Sequence, residues 1–349
     1  MLHNHHCSRR RAGAILKGVI SLLLSIYWKR VSAEFFCYVS LTTVMSISDI
    51  DISKAQLEPF RTYHFFHEGI NINLKTISAS ANFFVEACRN DETQLGEEIT
   101  KAHPSWGSSP VSQMTEEVEA GLRSAVSDYA LISVFSAFDD FIVQTKAEIN
   151  RSSAADEAIE HDQNDEESDS LDRAFKMFRR YSWNFKDIET YNLFVSYFRL
   201  CRDCVAHRRS LASSALSSLS QSTELQQKVR PHLDSRSTNL PQFETEEKVV
   251  LDPAQVLLCS HFLREIASAV NRKTIDMLGV EGFLRSVAYH SMFSSEPVRT
   301  NAYTSAQAVL NTALTNLYRA RIPDRHSAVQ ALKEIDLWYQ YLKKFKKDY

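Results

Sequence analysis

The stretch of this chain best equipped for chemistry is Arg202-Asp203-Cys204-Val205-Ala206-His207-Arg208. Arginine offers a permanent, planar cation suited to phosphate oxygens, and histidine titrates near neutral pH. The pair meets the needs of metal-independent RNA cleavage. In that reaction a base takes the 2′-hydroxyl proton while a fixed cation stabilises charge building on the phosphoryl oxygens. Asp203 stands four residues before His207, on the same helix face, where its carboxylate is expected to orient the imidazole and favour its protonated form. Arg208 and Arg209 come next, two further cations of a kind that can contact a phosphate backbone. Either motif residue could instead serve the last carbonyls of its helix. Five residues part Arg202 from His207, about 140° on an ideal helix, so one helix alone does not aim both at one phosphate.

Several helices must position this motif. The motif closes a helix expected from about Asp187 to Ser210, with Ile188, Tyr191, Val195, Phe198, Cys201 and Val205 as its buried series. An earlier helix, from about Gln113 to Asn150, carries Val118, Leu122, Ala125, Tyr129 and Ile132 down one face and Leu131, Phe135, Phe138 and Ile142 beside it. So wide an apolar stripe belongs inside a bundle. Continued, the first series reaches Ser136 and then Asp139, a carboxylate where a core residue was due. Either Asp139 has a buried partner or it sits at the stripe's edge facing water. After the motif, Ser210 to Ser222 reads as a flexible, Ser-rich surface segment. Lys248 to Leu251 reads as a short extended piece, and Asp252 caps a helix with Pro253 at its first position. Val256, Leu257, Phe262, Leu263, Ile266 and Val270 then form a closing helix.

The motif has the form arginine, polar residue, two variable residues, small residue, histidine, and it resembles the defining motif of the HEPN superfamily. The flanking features are similar to the RiboL-PSP-like branch, whose earlier helix bears an acidic residue between apolar ones, here matched by Asp139 within Ser136-Ala137-Phe138-Asp139-Asp140-Phe141-Ile142. The resemblance spans about Gln113 to Leu278. It implies an antiparallel helical bundle, a ribonuclease with Arg202 and His207 as catalytic residues supported by Asp203 and Asp139, and a homodimer whose two motifs face a shared cleft. It links the chain to bacterial toxin or antiviral defence systems, with an antitoxin or regulatory protein as a further partner. Asp203 replaces the asparagine frequent in the family at that position. The same resemblance admits a noncatalytic module that binds RNA, nucleotide or a protein partner.

Composition supports an all-α class: only 8 Gly and 8 Pro in 349 residues favour long helices over a many-stranded sheet. The expected organisation is an extension over 1–44, a helical region over 45–112 whose helical pattern begins at Ile52, a HEPN-like domain over 113–278 with an acidic loop at 152–170, and a C-terminal helical region over 279–349. A formal net charge of −3 gives no global field to draw nucleic acid, so RNA contact must be local. The last expected helix, Ser327 to Phe345, ends in Lys343, Lys344, Lys346 and Lys347; a packed helix with a solvated basic end is preferred there over an RNA-binding tail.

No metal or other cofactor is expected. Six cysteines lack a disulfide framework, and Cys201-x-x-Cys204 has no second pair to complete a zinc site. The His64 and His67 pair reads as packing rather than ligation. Residues 9–33 imitate a signal peptide, but the preferred reading starts the working protein at Met45, which removes the His3, His5, His6, Cys7 cluster as well. A cytoplasmic protein without stable membrane association is expected.

Overall fold

The computed structural model describes residues 49–89, 94–102, 105, 115–153, 170–229, 240–295, 297 and 304–348. The expected extension over 1–44 and most of the acidic loop, from 154 to 169, lie outside the described residues. The described helices all belong to the compact unit Ile50–Tyr349.

Every regular element among the described residues is helical, so the chain is all-α. Among the described residues, paired extended backbone is confined to two isolated bridges, Asp51 with Arg321 and Leu211 with Lys248. The long helices are α1 (Glu58–Arg89), α3 (Glu116–Ser152), α5 (Lys186–His207) and α8 (Pro253–Ala288). Shorter helices are α2 (Gln94–Ala102), α4 (Ser170–Arg180), α6 (Ser214–Ser220), α7 (Thr223–Val229), α9 (Ala306–Thr312), α10 (Ser327–Glu334) and α11 (Trp338–Asp348).

The long helices share one core because each presents an apolar row at helical spacing. Phe60 and Tyr63 of α1 meet Phe141 and Phe138 of α3, while Arg89 at the far end of α1 pairs with Glu119 near the start of α3, so the two helices run antiparallel. Phe194 of α5 stacks on Phe262 of α8 with centroids 4.5 Å apart. Asn271 of α8 accepts the Leu57 amide and donates to the Ala55 carbonyl, tying the chain that enters α1 to the bundle. The start of α8 is as its sequence implies: Asp252 and Gln255 form a reciprocal capping box, with Pro253 in the first turn.

Four expectations are corrected. The wide stripe of α3 is not all interior. Leu131, Phe135, Phe138 and Ile142 are fully buried, whereas Tyr129 is 73% exposed and Ile132 37% exposed. Periodicity establishes that a row is apolar, and the neighbouring helices decide which of two adjacent rows they cover. The segment from 210 to 222 is ordered: α6 is capped by Ser213, whose hydroxyl accepts the Leu216 amide, and it buries Leu216 and Ser220. Helix α1 starts at Glu58 rather than at Ile52, because Asp51 is held in backbone pairing with Arg321. The expected helix from Ser327 to Phe345 is broken between α10 and α11, where Asp336 has φ 57° and the Leu337 amide returns to the Leu332 carbonyl.

Helix α8 continues past Leu278, but Gly279 interrupts it with φ 62° and ψ −171°. No atom lies within 4 Å of where its Cβ would stand, so backbone conformation and not space demands glycine there.

Candidate functional site

Helix α5 carries the motif on its last two turns, and its termination fixes their surroundings. The Arg208 and Ser210 amides both donate to the Cys204 carbonyl at 3.0 Å, and Arg209 and Ser210 take φ 55° and 62°. This is a Schellman-like stop built without glycine, which costs roughly 1 kcal/mol per left-handed residue. Long-range backbone pairing just beyond the stop offsets that cost. The Val249 amide donates to Ser210 at 2.7 Å and the Ala212 amide to Glu247 at 2.8 Å, so the extended piece expected near Lys248 staples the end of α5. The Cys204 sulfur accepts the Ser213 amide at 3.4 Å from the other side.

Arg202 is half-buried between α5 and α3. Its Nη1 donates to Asp203 Oδ1 at 2.7 Å, and its guanidinium carbon lies 5.8 Å from the centre of the Phe135 ring. Such a contact is worth about 0.5 to 1 kcal/mol and limits the rotamers open to the side chain. His207, the last residue of α5, is exposed, and its side chain makes no hydrogen bond or ion pair among the described residues.

The expected support for the imidazole is therefore absent within this chain. Asp203 turns to Arg202 rather than to His207, because the guanidinium of the adjacent residue supplies a charged donor at hydrogen-bond distance. Asp139 belongs to the outward side of α3. It is 44% exposed in its side chain and accepts a hydrogen bond from Arg173 Nη1 of α4 at 2.8 Å. Both alternatives weighed for Asp139 hold in part: it lies at the edge, and it has a partner. Arg208 is engaged by Glu246 at 2.6 Å and by the Leu211 carbonyl at 3.3 Å. Arg209 is exposed and makes no ion pair among the described residues.

Arg202 and Asp139 thus lie along the same stretch of α3, since Phe135 beneath Arg202 is one turn before Asp139. His207 projects from the end of α5. The partners Phe135, Arg173 and Glu246 were not legible in the sequence, because each is brought in from an element tens of residues away and no local spacing marks it.

Cys201, Cys204 and Cys259 are buried among apolar groups, and burial pushes the Cys201 and Cys259 thiols well up. A thiol so placed resists the deprotonation that metal ligation requires. Among the described residues no group of three His, Cys, Asp or Glu could hold a metal ion. No helix among them is long and apolar enough to cross a membrane. His67 is a core residue: its Nδ1 lies 2.7 Å from the Ser260 hydroxyl and its Nε2 3.1 Å from the Asn71 side-chain nitrogen. Its partner in the sequence, His64, stacks on Phe60 with centroids 6.1 Å apart.

A second polar cluster, unmarked by any motif in the sequence, joins the end of α3 to the π-helical turn Tyr289–Phe293. Glu148, 1% exposed, accepts from Arg151 at 2.6 Å and lies 2.7 Å from His290 Nε2, and Arg151 stacks over Tyr289 at 4.1 Å. Burial pushes the Glu148 carboxyl up, but His290 and Arg151 outweigh it and hold the carboxyl below its ordinary value.

No protein-family model, curated protein or solved structure matches this chain.

Proposed function

We propose that the protein is a metal-independent endoribonuclease of HEPN type, with His207 moving the 2′-hydroxyl proton and Arg202 stabilising charge on the scissile phosphate. The observation that carries this reading is the pairing of a held guanidinium with a free imidazole on the last two turns of α5, both reachable by solvent. Arg202 is pre-aimed by Asp203 and Phe135, as an electrostatic stabiliser should be. His207 is uncommitted, as a group that must exchange protons should be.

Because about 140° separates the two residues on one helix, the reading includes a homodimer in which the motifs of two protomers face one cleft. Asp203 acts as a positioning residue for Arg202, Asp139 enters this reading through the HEPN resemblance alone because its partner is Arg173, and Arg209 is the better placed of the two arginines after His207 to meet an RNA backbone, since Arg208 is occupied by Glu246. The HEPN resemblance extends the proposal to a cytoplasmic toxin or antiviral effector restrained by an antitoxin or regulatory protein. The test is incubation of the full chain with single-stranded RNA in excess chelator. Fragments ending in 2′,3′-cyclic phosphate support the proposal, and cleavage that stops with chelator removes it.

Two observations favour a second reading, a noncatalytic HEPN module that binds RNA, nucleotide or a protein. Asp203 neutralises Arg202, and His207 has no orienting carboxylate within the protomer. Under this reading RNA is bound and left intact, and His207→Ala changes nothing.

A further inference from the structure

A pocket of about 490 Å³ opens between α4 and the N-terminal half of α5, on the helix that carries the motif. Its lining combines Phe175 and Phe185 with Arg179, Lys186, Arg199 and Asn192. The two rings are near parallel, 17° apart in plane with centroids 6.0 Å apart, and Phe185 remains 37% exposed although it also packs on Phe178. A partly exposed aromatic ring beside cations and a side-chain amide suits a nucleobase with its phosphate: the ring offers a stacking surface, the amide pairs with base edges and the cations meet phosphate oxygens.

The pocket and the motif are aligned. Steps of three or four residues lead along α5 from Asn192 through Ser196, Arg199 and Asp203 to His207, so these residues share one side of the helix. From Arg199 to His207 the rise is about 12 Å, the scale of a short stretch of single strand. Lys186 and Arg179 make no ion pair among the described residues, whereas Arg199 forms an ion pair with Asp172 at 3.7 Å. The carboxylates of Asp172 and Glu189 also line the pocket, which leaves three cations against two anions.

We infer that this pocket is a base-binding subsite that holds an unpaired nucleotide of an RNA chain while a neighbouring phosphodiester lies at the motif. The inference rests on the ribonuclease reading for its orientation, but the subsite binds whether or not cleavage occurs. It selects single-stranded over duplex RNA, because a base already paired and stacked cannot present its face to Phe185.

The test uses the full chain carrying His207→Ala, so that bound RNA is not consumed, and a fluorescein-labelled single-stranded oligoribonucleotide read by anisotropy. Phe185→Ala is expected to weaken binding about tenfold, with Phe185→Trp retaining it. The charge reversal Arg179→Glu with Lys186→Glu, at solvent-facing positions, is expected to do at least as much while leaving the thermal melt unchanged. Affinity within twofold of the parent for both the Phe185→Ala and the reversed variants overturns the inference, as does equal affinity for duplex RNA or equal displacement by polyglutamate. Binding that responds to the pocket variants while the unsubstituted chain leaves RNA intact sustains the subsite and removes the ribonuclease reading. Cleavage whose KM ignores the pocket variants does the reverse.

Discussion

Replacing His67 by glutamine should flatten the acid limb of the protein's stability curve. His67 lies on α1 facing α8, 6% exposed, where desolvation first and then the Arg264 cation lower its pKa from 6.5 to about 4. His64 and His261 act in the same direction and Glu265 opposes them. With the Asn71 amide donating to Nε2, Nδ1 carries the proton and donates to Ser260, so the folded state holds a neutral ring.

Above pH 6.5 the ring is neutral in both folded and unfolded chains, and the contribution is fully present. Between 6.5 and about 4 the unfolded chain takes up a proton that the folded chain refuses, so stability falls as pH falls. Each unit is worth about 1.4 kcal/mol, which sets a ceiling of about 3 kcal/mol. Solvent screening at the ring's edge reduces this to about 1.5 to 2 kcal/mol. Glutamine keeps a donor and an acceptor for Ser260 and Asn71 but does not titrate. Urea unfolding at pH 7.5 and pH 4.5, for the parent chain and His67→Gln, isolates the effect because every other titrating group is common to both. The parent should lose about 1.5 to 2 kcal/mol more than the variant across that interval. Equal losses would show that the ring takes up its proton in the folded state as it does in the unfolded chain and that α8 does not shield it from water.

Other substitutions probe the framework around the motif. Phe138→Ala removes a fully buried ring at the α1–α3 contact and should cost about 3 to 5 kcal/mol in denaturant unfolding. His290→Ala leaves the buried Glu148 carboxylate with Arg151 and the Ser152 hydroxyl but without the imidazole; a loss of about 2 to 4 kcal/mol is expected, reduced when Glu148→Gln is added, and a double-mutant cycle reads the coupling. Arg209→Gly relieves a left-handed backbone and should raise stability by about 0.5 to 1 kcal/mol while weakening RNA binding, a split that a purely structural arginine would not produce.

What the sequence disclosed is what local chemistry dictates. Asp252, Pro253 and Gln255 announce the start of α8 because a cap is a property of adjacent residues, and the apolar row of Leu131, Phe135, Phe138 and Ile142 announces a buried helix face. The row from Val118 to Ile132 misled because its spacing is equally helical and only the placement of α1 and α8 leaves Tyr129 in solvent. Serine-rich 210–222 was misread because serine serves caps as readily as linkers, and Ser213 and Ser220 are fixed by bonds to Leu216 and to the Phe243 backbone. At the motif, the sequence supplied Arg202 and His207 but paired Asp203 with the wrong neighbour. A carboxylate four residues from a histidine and one from an arginine has two possible partners, and the rotamers adopted on the folded helix select the arginine.

The most direct measurement is the single-turnover cleavage rate of single-stranded RNA by Arg202→Ala and His207→Ala beside the unsubstituted chain, in chelator, with folding matched by thermal melt. Loss of a proton-transfer group or of a phosphate-stabilising cation should lower the rate by about 10² to 10³-fold in each variant. Rates within a few-fold of the parent in both variants would contradict the account.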